Sequence, residues 1–123
     1  MLLSRENLEK ITAADVQLPT ANSFALPERV LQFGTGVLLR GLPDYYVDQA
    51  NKQGLFNGRI LVVKSTSSSG ADAFESQDGL YTLCIKGKKD GQQVVQYTLN
   101  NAISRVLSAS TDWSSILEAA KNP

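Results

Sequence analysis

Residues 29–42 read RVLQFGTGVLLRGL, and this stretch decides the fold. Its first five residues form a short, mostly apolar run that is typical of a buried strand. The run ends at 34–36, Gly-Thr-Gly, where the glycines permit a tight turn. A second apolar run, 59–64 (RILVVK), is typical of a strand that is covered on both faces. The order strand, glycine turn, helix, strand predicts a βαβ unit over 29–65, with a parallel strand pair and a right-handed crossover.

The helix that links the two strands has two possible starts. Pro43 is tolerated without cost only in the first turn of a helix, because its missing N–H needs no partner there. A regular helix therefore starts near Leu42, or it starts directly after Gly36 and is kinked at Pro43. Gly54 is of the residue type that commonly follows the last helical position, so we expect the helix to end there.

The second half of the chain changes to shorter strands. Residues 80–85 (LYTLCI) and 93–99 (QVVQYTL) flank a charged segment with two glycines, 87–91 (GKKDG). This arrangement predicts a β-hairpin over 80–99. Residues 102–107 are expected to add a third antiparallel strand to it.

Two loops and a last helix complete the pattern. A Ser/Thr/Gly segment at 65–70 predicts a loop, and Gln-Asp-Gly at 77–79 is a turn signal. A helix is expected over 112–121, capped by Ser110 or Thr111. Its expected buried face consists of Trp113, Ile116, Leu117 and Ala120.

The N-terminal part of the chain is expected to form an arm that packs on the rest of the domain. Residues 4–11 predict a short helix that Ser4 can cap. The polar stretch 19–27 predicts a surface loop. We therefore divide the chain into an arm, 1–28, and a partial dinucleotide-binding domain, 29–123.

The composition excludes several kinds of site. The chain has 123 residues, no histidine, one cysteine, and 12 basic against 12 acidic residues. Without histidine this chain offers no Ser-His-Asp or Cys-His pair and no imidazole ligand, so we expect no metal site. One cysteine cannot form an internal disulfide, which favours a reducing compartment, and we expect a cytoplasmic location.

Charge and hydropathy exclude two classes of partner. A net charge of zero argues against a nucleic-acid or anionic-membrane surface. No apolar run approaches the ~20 residues of a membrane span. The start, MLLSRE, becomes charged too early for a signal peptide. We therefore expect neither nucleic acid nor a membrane as a partner.

The number of predicted parallel strands limits the fold. Two are too few for a doubly wound sheet with helices on both faces. Either the antiparallel strands complete the sheet, or the chain is a fragment of a longer protein, and we favour the fragment. The expected fold class is α/β: the N-terminal part of a Rossmann-type dinucleotide-binding domain that begins with the βαβ unit and carries an inserted antiparallel hairpin or meander.

The glycine turn is the one signal of a binding site in this sequence. Gly34 and Gly36 would allow a pyrophosphate to approach the backbone, whose free N–H groups bind its oxygens. The third glycine of the G-x-G-x-x-G pattern is absent, because Leu39 occupies its position. From spacing alone, a dinucleotide site and a tight structural turn stand equally open.

Two basic residues lie close to this turn in the predicted fold. Arg40 is either an anion ligand or a solvated arginine at the helix start. Lys64 ends the second strand, where an acidic residue commonly binds the adenosine ribose of NAD. A lysine there favours the 2′-phosphate of NADP, or it is an ordinary cation at a strand end.

The sequence around the turn resembles that of a known enzyme family. Residues 30–41, VLQFGTGVLLRG, are similar to the G-x-G-x-F-x-R cofactor motif of the mannitol dehydrogenase family, the polyol-specific long-chain dehydrogenases. Gly34, Gly36 and Arg40 match this motif. A second similar stretch, QDGLYT, follows at 77–82. The resemblance therefore rests on two separate segments in the same order.

The resemblance implies a dehydrogenase that moves a hydride between nicotinamide and the carbonyl of a small sugar acid. Leu38 stands where many members have phenylalanine, a departure shared by the branch that acts on uronates, and this branch uses NAD. NADP stays open because of Lys64. Mannonate and mannitol dehydrogenases are the alternatives within the family, and a nucleotide-binding module without catalysis is the alternative outside it. The cofactor contacts that the resemblance and the spacing indicate are Gly34, Thr35, Gly36, Val37, Leu38, Arg40 and Lys64.

The remaining candidate residues are predicted to have structural roles. The catalytic lysine of the family, with its asparagine and histidine partners, has no counterpart in this chain. Asp44 and Asp48, four residues apart on one helix face, are predicted to be exposed charges rather than an acid–base pair. Cys84 lies in an apolar run and is predicted to be an inert core thiol. Three lysines in or beside the charged hairpin turn are predicted to be solvated cations: Lys86, Lys88 and Lys89. Neither these nor Lys121 is expected to be the catalytic lysine.

Overall fold

The computed structural model describes residues 2–65 and 74–123, which contain two three-stranded sheets. The strands are β1 (Val16–Gln17), β2 (Glu28–Phe33), β3 (Arg59–Lys64), β4 (Tyr81–Lys89), β5 (Gln92–Asn100) and β6 (Ile103–Ser108). The α-helices are α1 (Val37–Gly41), α2 (Pro43–Lys52) and α3 (Trp113–Ala120), and 3₁₀ turns occupy Arg5–Lys10 and Ala21–Ala25.

The predicted βαβ unit is confirmed. β2 and β3 are parallel, and Leu31 lies opposite Leu61 in their register. β3 is covered on both faces, as its apolar run predicts. Ile60 and Val62 belong to one hydrophobic cluster, whereas Leu61 and Val63 belong to the other. β3 is therefore the centre of the core.

The prediction that residues 102–107 add an antiparallel strand to the hairpin is wrong. β6 lies in the other sheet, parallel to β3, with Val106 opposite Val62. The physical reason is that β3 is buried over 59–63, so the N–H and C=O groups on both of its edges need partners. β6 provides them and buries Ile103 as well. The parallel sheet therefore has three strands, in the order β2-β3-β6.

The predicted β-hairpin is confirmed, and its turn is shorter than expected. β4 and β5 are antiparallel up to the pair formed by Lys89 and Gln92. Only Asp90 and Gly91 remain in the turn, with φ of 52° and 79°. Two successive positive φ values are those of a type I′ turn, which Asp-Gly favours. β1 joins the other edge of β5, so this sheet has the order β1-β5-β4.

The linking helix starts directly after Gly36, which is one of the two predicted alternatives. It is interrupted at Leu42, whose φ of −123° and ψ of −83° lie outside helical geometry. Pro43 then occupies the first position of α2, where its missing N–H costs nothing. Gly54, with φ of 70°, follows the end of α2 as predicted.

The last helix forms where it is predicted, but it buries a different face. Ile116 is 2% exposed, whereas Trp113 and Leu117 are 52% and 50% exposed. The sheet contacts only the stripe of α3 that contains Ile116 and Ala119, three residues apart. The predicted caps are also wrong, because Asp112 precedes the first helical residue and its carboxylate accepts the N–H of Ser108.

The arm is tied to the strands by hydrogen bonds. Ser23 Oγ accepts a hydrogen bond from the side-chain amide of Asn101. The carbonyl of Phe24 accepts one from the guanidinium of Arg59. The arm segments that are predicted as helix and as loop each contain one of the 3₁₀ turns, and β1 lies between these turns.

Residues 66–73 lie outside the described part of the chain, and so does most of the loop predicted at 65–70. The turn predicted at 77–79 is confirmed, with Asp78 and Gly79 at φ of 54° and 74°. Among the described helices, none is long and apolar enough to cross a membrane.

Candidate functional site

The glycine turn lies at the carboxyl end of β2, beside the carboxyl end of β3. The N–H of Gly34 donates to the carbonyl of Val63 over 2.9 Å, so the strand ladder reaches the turn itself. Gly34 has φ of 117°, and a Cβ atom there would lie 2.9 Å from Cδ1 of Leu39. The fold therefore requires glycine at position 34.

Gly36 is not required by the fold in this way. Its φ of −62° and ψ of 160° are open to any residue. No atom of the described chain lies within 4 Å of a Cβ atom built there. Space of this kind lets a ligand approach the backbone closely, which is the use of the second glycine in dinucleotide-binding turns.

Exposed apolar side chains surround the turn. Phe33, Val37 and Leu38 are 64%, 76% and 74% exposed, and Thr35 between the glycines is half-buried. The first N–H groups of a helix have no partner within that helix, and α1 begins directly after Gly36. The combination suits a ligand that carries both an anionic group and an apolar ring.

A buried polar pair lies beside the turn. The side-chain amide of Gln32 donates to the carbonyl of Gly34 and to Oδ2 of Asp44, each over 3.2 Å. Gln32 is 9% exposed and Asp44 is fully buried. Burial raises the pKa of the Asp44 carboxyl from 3.8 to about 6, although the hydrogen bond from Gln32 and the charge of Arg40 oppose the rise. Oδ1 of Asp44 has no hydrogen-bond partner among the described residues.

The prediction that Asp44 and Asp48 are exposed charges is wrong. Both are buried because their face of α2 packs against β5. Asp48 pairs with Lys52 over 2.6 Å and accepts the N–H of Asn101. The side chain of Asn100 donates to the backbone carbonyl of Asp44. Both aspartates therefore lie in the contact between α2 and the end of β5.

Arg40 lies close to Asp44 and is half-buried. Its guanidinium carbon is 5.7 Å from the ring centre of Phe74, and its carbonyl accepts a 2.8 Å hydrogen bond from the hydroxyl of Tyr81. Its Nε atom is buried and has no hydrogen-bond partner within the described residues. Of the two roles left open for Arg40 by the sequence, the solvated arginine at the helix start is therefore not observed.

The other predicted residues divide into three cases. Lys64 is half-buried at the end of β3, at the same edge of the sheet as the glycine turn, and its carbonyl accepts the N–H of Ala109. Cys84 is exposed, so the prediction of a core thiol is wrong. It alternates along β4 with the half-buried Leu83 and Ile85, which places it on the outer face. The three hairpin lysines predicted to be solvated are exposed, as expected: Lys86, Lys88 and Lys89. Lys121 is exposed as well.

Sequence reasoning missed the burial of Arg59. Arg59 is 6% exposed and donates to the carbonyls of Asn101 and Ile103 and to Oδ1 of Asn101. Nothing in the sequence marks it, because it opens an apolar strand. The Asp48–Lys52 pair did have a signal, its spacing of four residues on a helix. The described residues contain no group of three or more acidic or cysteine side chains able to hold a metal ion.

The comparison with curated proteins gives a consistent group of relatives. No family model matches the sequence. An altronate oxidoreductase of Halalkalibacterium halodurans is 42% identical over 102 residues, which are 82% of this chain and 20% of that protein. The altronate oxidoreductase of Bacillus subtilis is 41% identical over 96 residues, and one of Klebsiella pneumoniae is 35% identical over 98 residues. The chain spans about a fifth of the length of each.

Solved structures share the fold. A mannitol 2-dehydrogenase of Pseudomonas fluorescens, solved as a ternary complex with NAD and D-mannitol, superposes with a TM-score of 0.84 at 24% identity. That alignment covers 97% of this chain and 24% of the solved one. A D-sorbitol dehydrogenase in substrate-free form gives a TM-score of 0.78 at 26% identity, over 94% of this chain and 24% of the other.

The fold and the sequence relatives agree with each other. The two solved dehydrogenases superpose on nearly all of this chain, so they share the fold that contains its parallel sheet and its antiparallel hairpin. The expected fold class, part of a Rossmann-type domain with an antiparallel insertion, is confirmed. The resemblance noted in the sequence is confirmed by identities of 35% to 42% over about four-fifths of the chain. Over about four-fifths of its length the chain is similar to the altronate oxidoreductases, and it spans about a fifth of their length.

Proposed function

We propose that this chain is the NAD-binding portion of an oxidoreductase that interconverts D-tagaturonate and D-altronate. The observation that carries the proposal is the glycine turn. It lies at the carboxyl edge of a parallel sheet, where dinucleotides bind in such folds, and it has open space at Gly36. The name of the relatives, altronate oxidoreductase, is the basis for proposing a small sugar acid as the substrate.

The residues of this chain would bind and orient the cofactor. The backbone of Gly34, Thr35 and Gly36 would receive the pyrophosphate, because the fold leaves this side of Gly36 unfilled. Val37 and Leu38 would cover apolar parts of the ligand, since both are more than 70% exposed beside the turn. Bound NAD supplies the acceptor for the hydride. We assign no proton transfer to this chain.

NAD rather than NADP is the proposed cofactor. The mannitol 2-dehydrogenase with the same fold was solved with NAD. Lys64 is the residue that argues for NADP, because it lies at the carboxyl end of β3, where the adenosine ribose is bound in dinucleotide folds. We expect tighter binding of NADH than of NADPH, and Lys64→Asp should increase this preference by repelling the 2′-phosphate.

A substrate panel tests the proposed reaction. The protein, expressed from its complete reading frame, is mixed with NADH and with tagaturonate, fructuronate or fructose, and absorbance at the nicotinamide band is followed. We expect consumption of NADH with tagaturonate. Preference for fructuronate or fructose would reassign the enzyme to a mannonate or mannitol dehydrogenase. Binding of NADH without consumption of any substrate would indicate a nucleotide-binding module.

A further inference from the structure

Gln32 and Asp44 form a buried arrangement that faces the inner side of the glycine turn. The amide nitrogen of Gln32 has two hydrogens, and two acceptors lie 3.2 Å away, the carbonyl oxygen of Gly34 and Oδ2 of Asp44. Gln32 is 9% exposed, and Asp44 is completely buried. Water therefore cannot easily replace either hydrogen bond.

The orientation of the Gln32 amide is determined by these partners. Turning the amide over would place its oxygen against the carbonyl of Gly34 and the carboxylate of Asp44. A carbonyl and an ionised carboxylate have no hydrogen to donate, so the amide oxygen would have no partner there. Asp44 thus selects the orientation in which Gln32 donates to Gly34.

Fixing one carbonyl also fixes the next N–H. The peptide unit between Gly34 and Thr35 is planar and trans, so its C=O and N–H point in opposite directions. Because the carbonyl of Gly34 points to the buried Gln32, the N–H of Thr35 points away from the buried pair. Gly34, with φ of 117° and no side chain, offers little resistance to rotation of this peptide by itself.

We propose that Gln32 and Asp44 are positioning residues that hold the N–H of Thr35 toward the pyrophosphate of the bound dinucleotide. This inference rests on the proposed function and adds to it a pair of residues that do not touch the cofactor. The charge of Arg40 favours the ionised form of Asp44, the form that accepts the hydrogen bond from Gln32. The unpartnered Oδ1 of Asp44 makes the carboxylate costly for folding, whereas its other oxygen anchors the turn.

The test compares a substitution that removes the hydrogen bonds of Gln32 with one that keeps an acceptor for them. Gln32→Met keeps the size of the side chain but removes both donated hydrogen bonds, and we expect NADH to bind about tenfold more weakly, the equivalent of one lost hydrogen bond. Asp44→Asn keeps an acceptor for Gln32, and its affinity should stay within about twofold of wild type. The KM for the sugar acid at saturating NADH should be unchanged in both, because only the cofactor turn is affected.

Controls separate this role from general damage. Gln93→Met makes the same change on the exposed hairpin and should leave affinity unchanged. Asp44→Leu removes the anchor while leaving Gln32 in place, and it should weaken NADH about three- to tenfold; it serves as the second variant if Gln32→Met does not fold. Thermal unfolding confirms that each variant is folded.

The outcomes are distinguishable. Folded Gln32→Met or Asp44→Leu protein that binds NADH within twofold of wild type would overturn the positioning role and leave the proposed function intact. An equal loss in Asp44→Asn and Asp44→Leu would also overturn it, because the acceptor would then be irrelevant. Wild-type protein that binds no dinucleotide would overturn the proposed function itself, and the inference with it.

Discussion

The ammonium group of Lys52 lies 2.6 Å from Oδ2 of Asp48, and the two side chains are only 7% and 3% exposed. Lys52 also donates to the hydroxyl of Thr98 and to the carbonyl of Leu99. The ammonium group thus makes three hydrogen bonds, two of which join α2 to β5. A buried charge with this many partners is satisfied in place, and it becomes costly when one partner is removed.

Lys52→Met should therefore destabilise the protein strongly. The change leaves the carboxylate of Asp48 buried without its cation, and we expect a loss of about 3–5 kcal/mol in the free energy of unfolding. Urea unfolding followed by circular dichroism measures it. The matched control is Lys121→Met, because Lys121 pairs with Glu118 while both side chains are more than 70% exposed. That change should cost less than about 1 kcal/mol, and equal losses in the two variants would contradict the account.

The two glycines of the turn should respond differently to alanine. Gly34→Ala forces a Cβ atom to within 2.9 Å of Leu39 at φ of 117°, so we expect a loss of stability of about 1–3 kcal/mol. Gly36→Ala meets no atom within 4 Å in the described chain and should leave stability unchanged. It should nevertheless weaken NADH about tenfold, because the added methyl group occupies the space for the pyrophosphate. Unfolding and binding titrations of the same samples provide both readouts, and unaltered NADH affinity in Gly36→Ala would count against a ligand at this position.

The buried carboxyl of Asp44 predicts a specific pH dependence. Its pKa is about 6 in the folded protein against 3.8 in the unfolded chain, so the folded state binds the proton more tightly. The contribution of this group to stability therefore increases as the pH falls from about 7 to about 4, by up to about 3 kcal/mol. Two neighbours oppose the rise of this pKa: the hydrogen bond from Gln32 and the cation of Arg40 both favour the charged form.

Asp44→Asn removes this titration. The stability of the variant relative to wild type should be highest near pH 7 and should decrease steadily toward pH 4, where the wild-type carboxyl is protonated. Thermal unfolding of the two proteins in parallel buffers measures the difference, because all other titrating groups are shared. A difference that is constant across this range would show that Asp44 does not titrate between pH 4 and 7.

Arg59 should be the most sensitive cation in the parallel sheet. Arg59→Met leaves the carbonyls of Asn101 and Ile103 and the side chain of Asn101 without their donor, and we expect a loss of at least about 3 kcal/mol. The neighbouring Arg29 is exposed, so Arg29→Met is the matched control and should change stability by less than about 0.5 kcal/mol. Denaturant titration measures the free energy of unfolding of both variants, and equal losses would show that the contacts of Arg59 are not important for stability.

The parts of the fold that could be predicted from sequence depend on local patterns. The apolar run of β3, the glycines at its neighbouring turn and the glycine-containing segment of the hairpin each act within a few residues. The parallel strand pair and the hairpin that they predict are confirmed, although the hairpin turn is shorter than expected. The direction of β6 could not be obtained in this way. Its partner β3 is about 40 residues away, and pairing at that distance depends on which edge of the sheet is still unpaired.

The burial of polar residues is the second feature that could not be predicted from the sequence. Asp44, Asp48 and Arg59 are of residue types that are usually exposed. The two aspartates are buried because α2 packs on β5, and Arg59 is buried where it contacts Asn101. Cys84 was predicted to be buried and is exposed, because an apolar run indicates a strand but not which alternate residues face the solvent. For the candidate site, the glycines were visible in the sequence, whereas the support that Gln32 gives to Gly34 needed coordinates.

Whether the glycine turn binds a dinucleotide can be measured by one titration. NADH is titrated into the protein expressed from its complete reading frame, as wild type and as Gly36→Asp, by isothermal calorimetry. We expect saturable binding to wild type and no measurable binding to Gly36→Asp, because the new carboxylate would meet the pyrophosphate. Equal binding by both proteins, with the variant shown to be folded, would contradict it.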